Sequence, residues 1–456
     1  MPPVYDLIII GTGAAGTSAA TRAHHLGATR IAMVERGPLW GTCVNNGCIP
    51  SKFLLAVGDL NYYRNFGHRG LEVGTRLNPK EVIQEKRDLI LRLRERKARR
   101  IFGELGVELV EGVARFISPT EIDVSGGIME ARRFIIAAGS SPSVPPLEGL
   151  SSVPYLTNVE ALEREEVPES IIIVGGRALG LEFAQIFAHL GSKVTLLQRS
   201  PRIIPEEEPE ISTAMEDALK GEGIDIRTGV ELVRVRMEGK EIGVSARVKD
   251  KGEKFTAAQI LFATGRTPNT RQLNLPACGV KVDGRGAIIV NETMQTSAPT
   301  IWAAGDVIGE PMLEPWAGVG GSMAAENAMT GKGRKIDRSS LPHAIFTTPQ
   351  VASVGLTEGQ AKARGIAVKC RSVSLEGVSR ALIAGNTRGL IKIVADEGSG
   401  KVLGMHICAP IASEMIEEGV LAVKFGLTVR DLVETFHVFP TMAGAIQDCA
   451  RMFRKD

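Results

Sequence analysis

Residues 7–35, LIIIGTGAAGTSAATRAHHLGATRIAMVE, decide the fold. An apolar run ends at a glycine turn containing Gly11, Gly13 and Gly16, an Ala-rich helical stretch follows, and a second short apolar run closes at Glu35. Strand, turn, helix and strand in this order make a βαβ unit. The glycine spacing is that of a dinucleotide-binding turn: the first glycine permits the tight bend, the second lets pyrophosphate approach the backbone amides, and the third lets helix pack closely on strand. Glu35, nineteen residues after Gly16, is placed to accept hydrogen bonds from a ribose hydroxyl.

Just downstream, GTCVNNGCIPSK (41–52) carries Cys43 and Cys48. A thiol pair that closes into a disulfide stores two electrons, and its place beside a dinucleotide site predicts a cofactor that feeds or drains them. Such thiols react as thiolates, so a helix beginning at or near the motif would help by presenting its positive end. The other cysteines, Cys278, Cys370, Cys408 and Cys449, are scattered without ligand spacing, as expected in a reducing cytoplasm.

A second βαβ unit begins at Ser170 and runs through GGRALG (175–180) to LLQRS (196–200). Two nucleotide sites in one chain imply two cofactors. Gly175 and Gly180 keep the outer fingerprint positions, but Arg177 replaces the middle glycine and crowds the pyrophosphate approach unless its side chain turns away. Where NAD enzymes carry a ribose-binding acid this chain has Gln198, followed by Arg199 and Arg202. An acid would repel a 2′-phosphate and an arginine fork would bind it, which favours NADPH, with NADH as the alternative donor.

FIIAAGSSP (134–142, through Gly139) and ILFATGRTPN (260–269, through Gly265) read as strands returning to the two nucleotide domains. GVELVEGVARFISPTEIDV and ELVRVRMEGKEIGVSARV read as antiparallel strands beside each sheet. From about Leu341, strand-like VASVGLT, LIKIVAD and KVLGMHIC alternate with helical runs, which suggests an α+β domain. The expected fold class is α/β, with two Rossmann-like domains and a C-terminal α+β domain. The boundaries fall at 1–150 with 270–338, 151–269, and 339–456.

A length of 456 residues accommodates about three domains. Lys plus Arg is 54 against 52 for Asp plus Glu, so the charge balance argues for a small-molecule enzyme, with neither nucleic acid nor an anionic membrane as partner. The apolar run Leu7 to Ile10 is a strand and no signal peptide, and no apolar stretch approaches a membrane span. One basic concentration, Lys86 to Arg100, reads as an amphipathic helix with a wet cationic face.

The whole chain resembles the flavoprotein disulfide reductases, the family of dihydrolipoamide dehydrogenase, glutathione reductase and mercuric reductase. The matching strings are GTGAAG, GTCVNNGCIPSK, Leu181–Glu182, ATGRTPN, IWAAGDV (301–307) and FHVFPTM (436–442). The resemblance implies FAD at the first nucleotide site, with Gly41, Thr42, Gly139, Gly305 and Asp306 among its contacts, NAD(P)H at the second, with Gly265 near it, and a C-terminal dimerisation domain. It also implies Cys48 as the flavin-proximal thiolate, Cys43 as the outer attacking thiol, and Lys52 with Glu182 as a buried pair near the flavin N5.

Departures from the family narrow the chemistry. Reductases of disulfide substrates carry a His-Pro-Thr segment and a glutamate that together move a proton, whereas this chain has Phe439-Pro440-Thr441 with Gly444 at the glutamate position. Such acid–base help contributes on the order of 100- to 10,000-fold, so fast reduction of lipoamide or glutathione disulfide is not expected. The mercuric reductase branch also lacks this histidine, because a soft cation held by two thiolates needs electrons more than a proton relay. FHVFPTM, SSPSVPPLEGL, AQIFAHLGSKVTLL and FTTPQVASVG look most like that branch, and Tyr155 stands where it has a tyrosine near the thiols, the alternative being a residue packed over the nicotinamide site. Phe439 stands where that branch has tyrosine, and a vicinal cysteine pair and an N-terminal metal-trapping domain are not recognisable. Cys449 stands alone as a possible delivery thiol, against the plainer reading of a buried helical cysteine.

The leading expectation is a cytoplasmic, homodimeric reductase in which Cys43 and Cys48 pass electrons to a soft metal ion and act as its ligands. Pairing of subunits would place Phe439 of one beside the other's Cys43. A reductase of a special disulfide or a quinone, protonated by water or His437, and a regulatory flavoprotein are the alternatives.

Overall fold

The computed structural model describes residues 4–63, 74 and 76–453, so the last three residues lie outside it. The chain divides into two compact units, one of Met1–Pro50, Gln84–Ser143 and Gly265–Asp337, the other of Ser51–Ile83, Val144–Thr264 and Arg338–Asp456.

In the first unit a wholly parallel sheet has the order Ile301–Ala303, Phe134–Ile136, Leu7–Ile10, Ile31–Glu35, Glu108–Glu111. The strand Leu7–Ile10 is buried along its whole length, as an internal parallel strand between two layers must be. One face carries the helices Ala14–His25 and Glu314–Thr330, which meet so closely that a Cβ on Gly321 would sit 2.1 Å from the carbonyl of Ala15. The other face shares a core with the antiparallel strands Ala114–Ser118 and Glu121–Val124 through Ile8, Ile10, Phe116, Ile122 and Phe134. Only part of the stretch expected to be antiparallel is so: Glu108–Glu111 pairs parallel with Ile31–Glu35 at the sheet edge.

The second unit repeats the plan with Asp225–Arg227, Lys193–Leu197, Ser170–Val174 and Gln259–Phe262, all parallel. A three-stranded antiparallel sheet from Val230 to Ala257 covers one face, with Val235, Ile242 and Val244 packed on Ile172 and Val174. The C-terminal region adds an antiparallel sheet in the order His343–Ile345, Gln350–Gly355, Val402–Ala409, Leu390–Asp396, Val368–Ser374, backed by the helix Ala412–Phe425.

The basic helix departs from expectation. Pro79–Ala98 is helical, but Lys86 is fully buried, and Arg94 donates from Nε at 2.7 Å and also from Nη2 to the Oδ1 of Asn45. Its polar face is therefore spent in part on the cysteine segment.

Candidate functional site

The first glycine turn is built as the spacing requires. Gly11 has φ +109°, and a Cβ there would lie 2.2 Å from the carbonyl of Ala137; one on Gly16 would lie 2.0 Å from that of Gly11. Both positions exclude side chains. Gly13 caps the helix Ala14–His25 with no side-chain hydrogen bond, which leaves the helix amides for an anion. Glu35 accepts from the Thr12 backbone N–H at 3.0 Å and the Thr12 hydroxyl at 2.7 Å on Oε2, and from the Gly37 N–H at 3.1 Å on Oε1. Thr12 in turn accepts the Trp40 N–H at 2.8 Å, so it fixes Glu35 and the approach to the cysteine segment together.

Gly41 has φ +64°, and a Cβ there would meet the Cα of Gly13 at 2.9 Å, so the cysteine segment lies directly against the glycine turn. Gly139 and Gly305, with φ +68° and +79°, lie in the same unit, and the Ser140 hydroxyl donates to Asp306 Oδ2 at 2.5 Å. A side-chain-free cradle, a bare helix N-terminus and a carboxylate at a strand end fit the pyrophosphate and ribose of a dinucleotide such as FAD.

Cys43 sits in the short helix Gly41–Asn45, and Cys48 is the first residue of the helix Cys48–Tyr63, where amide N–H groups favour a thiolate. Both are partly exposed. A hydrogen bond to Cys48 first, then burial and the charge on Cys48, drive the Cys43 thiol far above its ordinary range, Glu314 adding to the effect and Lys97 opposing it. Two negative charges side by side are therefore disfavoured in the reduced pair.

Within the second unit Lys52 Nζ donates to both oxygens of Glu182, at 2.8 and 2.7 Å, and lies 4.6 Å from the centre of the Phe346 ring. Glu182 is 2% exposed and also accepts the Phe346 N–H at 3.0 Å. The two residues form an ion pair in which Glu182 is buried and Lys52 is partly exposed.

At the second glycine turn, Gly175 has φ +113° and a Cβ on Gly180 would lie 1.7 Å from the Gly175 carbonyl. The tight turn survives the loss of the middle glycine because Arg177 caps the helix in extended backbone, with an exposed side chain 3.7 Å from Glu206. Gln198 is buried and accepts the Gly176 N–H at 2.9 Å, so its oxygen stabilises the turn. Arg202 donates to the carbonyls of Pro205 and Glu207 at 2.6 and 2.7 Å. Of the two arginines expected to fork a 2′-phosphate, Arg202 is thus engaged with its own loop, and Arg199 is exposed. Gly265, φ +106°, accepts the Ser143 N–H at 2.9 Å.

Tyr155 packs edge-on against Phe262, with ring centres 5.6 Å apart. Phe439 is 82% exposed beside Phe436 at 101%. His437 has both ring nitrogens engaged, Nδ1 with the carbonyl of Thr435 at 3.1 Å and Nε2 with Glu418 at 3.0 Å. Cys449 is 0% exposed, its Sγ 3.3 Å from the carbonyl of Arg371, and burial pushes its thiol up to about 12. The delivery-thiol expectation gives way to the buried helical cysteine. Among the described residues no cluster of three or more His, Cys, Asp or Glu is arranged to hold a metal, and no helix is long and apolar enough to cross a membrane.

Residue-type reasoning passed over Thr12, Asn45, Ser140 and Arg266. The last lies inside a quoted motif, where its one available signal is an arginine directly after a glycine.

The chain is 41% identical to a mercuric reductase of Lysinibacillus sphaericus over 99% of its own length and 83% of that protein. It is 38% identical to a dihydrolipoyl dehydrogenase of Thermus scotoductus, covering 99% and 98%. A solved Cu(II) complex of an HOCl-induced flavoprotein disulfide reductase from Escherichia coli superposes with a TM-score of 0.89 at 27% identity, over 99% of this chain and all of that one. A family model for pyridine nucleotide-disulphide oxidoreductases matches residues 5–330, and the dimerisation domain of the same family matches 341–450. The chain belongs to the pyridine nucleotide-disulphide oxidoreductase family and is a flavoprotein-type oxidoreductase with a near cysteine pair.

Proposed function

We propose that this protein is an NADPH-preferring FAD enzyme that reduces a soft metal ion, mercuric ion being the model acceptor, at Cys43 and Cys48. The observation that carries the reading is that, among the described residues, the C-terminal segment offers no free acid–base pair. Phe439 and Gly444 hold the positions where a disulfide substrate needs an acid–base pair, and His437 has its nitrogens on Thr435 and Glu418. Mercuric reductase is also the name of the relative 41% identical to this chain.

In this reading residues 1–150 and 270–338 hold FAD, residues 151–269 hold NADPH, and residues 339–456 pair two cytoplasmic copies. The turn Gly11, Gly13, Gly16 with Glu35 would bind the FAD pyrophosphate and adenosine ribose, and Gly41, Thr42, Gly139, Gly305 and Asp306 its remaining length. Gly175, Gly180, Gln198, Arg199, Arg202 and Gly265 would line the nucleotide site, with Arg199 the charge available to a 2′-phosphate and Tyr155 beside the site or the thiols. Lys52 with Glu182 supplies the family's charge pair. When bound, the two cofactors supply two electrons that, with one proton, open the Cys43–Cys48 disulfide.

Cys48 then carries negative charge and Cys43 its proton. A soft dication displaces that proton and is held by both sulfurs. In the proposed dimer Phe439 covers the partner subunit's Cys43, keeping water from the metal without moving a proton.

The test is steady-state NADPH oxidation with mercuric ion plus excess thiol, set against lipoamide, glutathione disulfide and a quinone. Metal-dependent turnover at least tenfold above every disulfide is expected. Lipoamide turnover equal to or above it would replace this reading with the dihydrolipoyl dehydrogenase type, which the 38% identical relative supports. Cu(II) belongs in the same panel, because the Escherichia coli reductase is a Cu(II) complex.

A further inference from the structure

We propose that Arg266 is a positioning residue for the redox pair: anchored on Ser140 and Asp306, its guanidinium grips Thr42 and holds a fixed positive charge one residue from Cys43, favouring the reduced dithiol over the disulfide. The inference rests on Cys43 and Cys48 being a redox couple.

Arg266 is largely buried, and Nε and Nη2 of its fork are committed. Nε donates to the Ser140 hydroxyl at 2.6 Å, and Nη2 donates to the Ser140 carbonyl at 2.7 Å and the Thr42 hydroxyl at 3.1 Å. Asp306 Oδ2 lies 3.7 Å from Nε and accepts the Ser140 hydroxyl, which locks the anchor. Thr42 is one residue from Cys43 and also abuts the other sulfur's neighbour. A Cβ on Gly47 would lie 2.8 Å from the Thr42 carbonyl oxygen and 3.1 Å from its Cγ2. One guanidinium thereby braces the turn between the two cysteines from the Thr42 side.

The charge argument is separate from the brace. The guanidinium lies 3.1 Å from the hydroxyl of Thr42, the residue before Cys43, so its charge stands beside the pair; burial works against that charge, while Asp306 and Cys48 support it. An arginine keeps its charge under such burial. Reduction of the disulfide by two electrons with uptake of one proton leaves a negative charge on the pair, which a nearby cation stabilises on the product side only. A dithiol whose reduced form is stabilised has a higher reduction potential.

The experiment equilibrates holoenzyme with a dithiothreitol redox buffer and counts Cys43 and Cys48 thiols by quenched alkylation, for wild type, Arg266→Gln and Arg266→Lys. Glutamine keeps hydrogen-bond donors near Ser140 and loses the charge; lysine keeps the charge and loses the fork. Arg266→Gln is expected to shift the equilibrium about tenfold toward disulfide, roughly 30 mV for a two-electron couple. Arg266→Lys is expected to stay within about threefold of wild type. An Arg266→Gln equilibrium within twofold of wild type, or an Arg266→Lys shift of tenfold or more, overturns the inference, and the lysine arm decides alone should the glutamine variant not fold. A wild type with no reversible two-electron couple would instead remove the redox pair itself.

Discussion

At the scale of single residues the telling feature is how few charges are left uncommitted where the backbone is bare. Glu182 is almost wholly buried, and its carboxylate is tolerable because Lys52 and the Phe346 amide meet it. Removal of the cation would strand an anion in the core. Lys52→Met is therefore expected to lower unfolding free energy by about 3 kcal/mol, with Lys52→Arg losing much less. Chemical denaturation near neutral pH measures both, and a Lys52→Met variant as stable as wild type would contradict the account. A second pair sets a pH dependence. Burial disfavours both charged forms, yet the hydrogen bond and opposite charge win: Glu207 is held below the usual carboxylate range and His343 above the usual imidazole value. The histidine contribution is complete below its unfolded value of about 6.5 and disappears as pH rises through the raised folded value. The glutamate contribution persists above about 4.3 and is lost only as pH falls through the lowered folded value. The stability gap between wild type and His343→Gln should thus be widest near pH 6. It should shrink by about 1 kcal/mol on going to pH 9, a modest figure because His343 is more than a third exposed. Urea titrations at the two pH values decide, and a gap that grew with pH would reverse the sign.

At the scale of elements the helix Pro79–Ala98 changes meaning between sequence and structure. Its run of Lys and Arg reads as solvated surface, but Arg94 holds Asn45, whose amide donates to the carbonyls of Leu39 and Gly41, each at 2.7 Å. The helix therefore clamps the segment that positions Cys43. Arg94→Ala leaves the Asn45 oxygen short of donors and is expected to cost about 1–3 kcal/mol and to speed alkylation of Cys43. Arg92→Ala and Arg96→Ala, on the exposed face, should stay within about 0.5 kcal/mol. Equal effects at all three positions would return the helix to a general electrostatic role. What separated the readable from the unreadable was sequence distance. The glycine turns, Glu35 and the helix starting at Cys48 obey local rules of backbone and spacing. The Arg94–Asn45 clamp spans 49 residues and the Arg266–Thr42 contact 224, and no periodicity encodes such a partner. The same limit applies to Gln198 and Arg202, whose contacts, one with the glycine turn and the other with its own loop, no residue type announces.

At the scale of the whole molecule the apolar surface points to a second copy. Phe436, Val438 and Phe439 are exposed by 101%, 77% and 82%, with Leu421 and Phe425 also open, all within the stretch matched by the family's dimerisation domain. A soluble protein seldom leaves so many large apolar side chains in water unless another surface covers them. Burying each phenyl ring is worth about 2 kcal/mol, or roughly 30-fold in a dissociation constant. Phe436→Asp and Phe439→Asp together are accordingly expected to weaken the dimer by at least about 1,000-fold, since each also places a carboxylate in an apolar interface. Sedimentation equilibrium over a dilution series measures this directly. Flavin content should survive, because the glycine turn, Glu35 and Asp306 belong to the first compact unit while both phenylalanines belong to the second. Metal-dependent turnover should fall in step with the dimer fraction, as expected if Phe439 shields the partner subunit's Cys43. A double variant that remained dimeric would assign the exposed rings another role, and a fully active monomer would free the dithiol from any need of its partner.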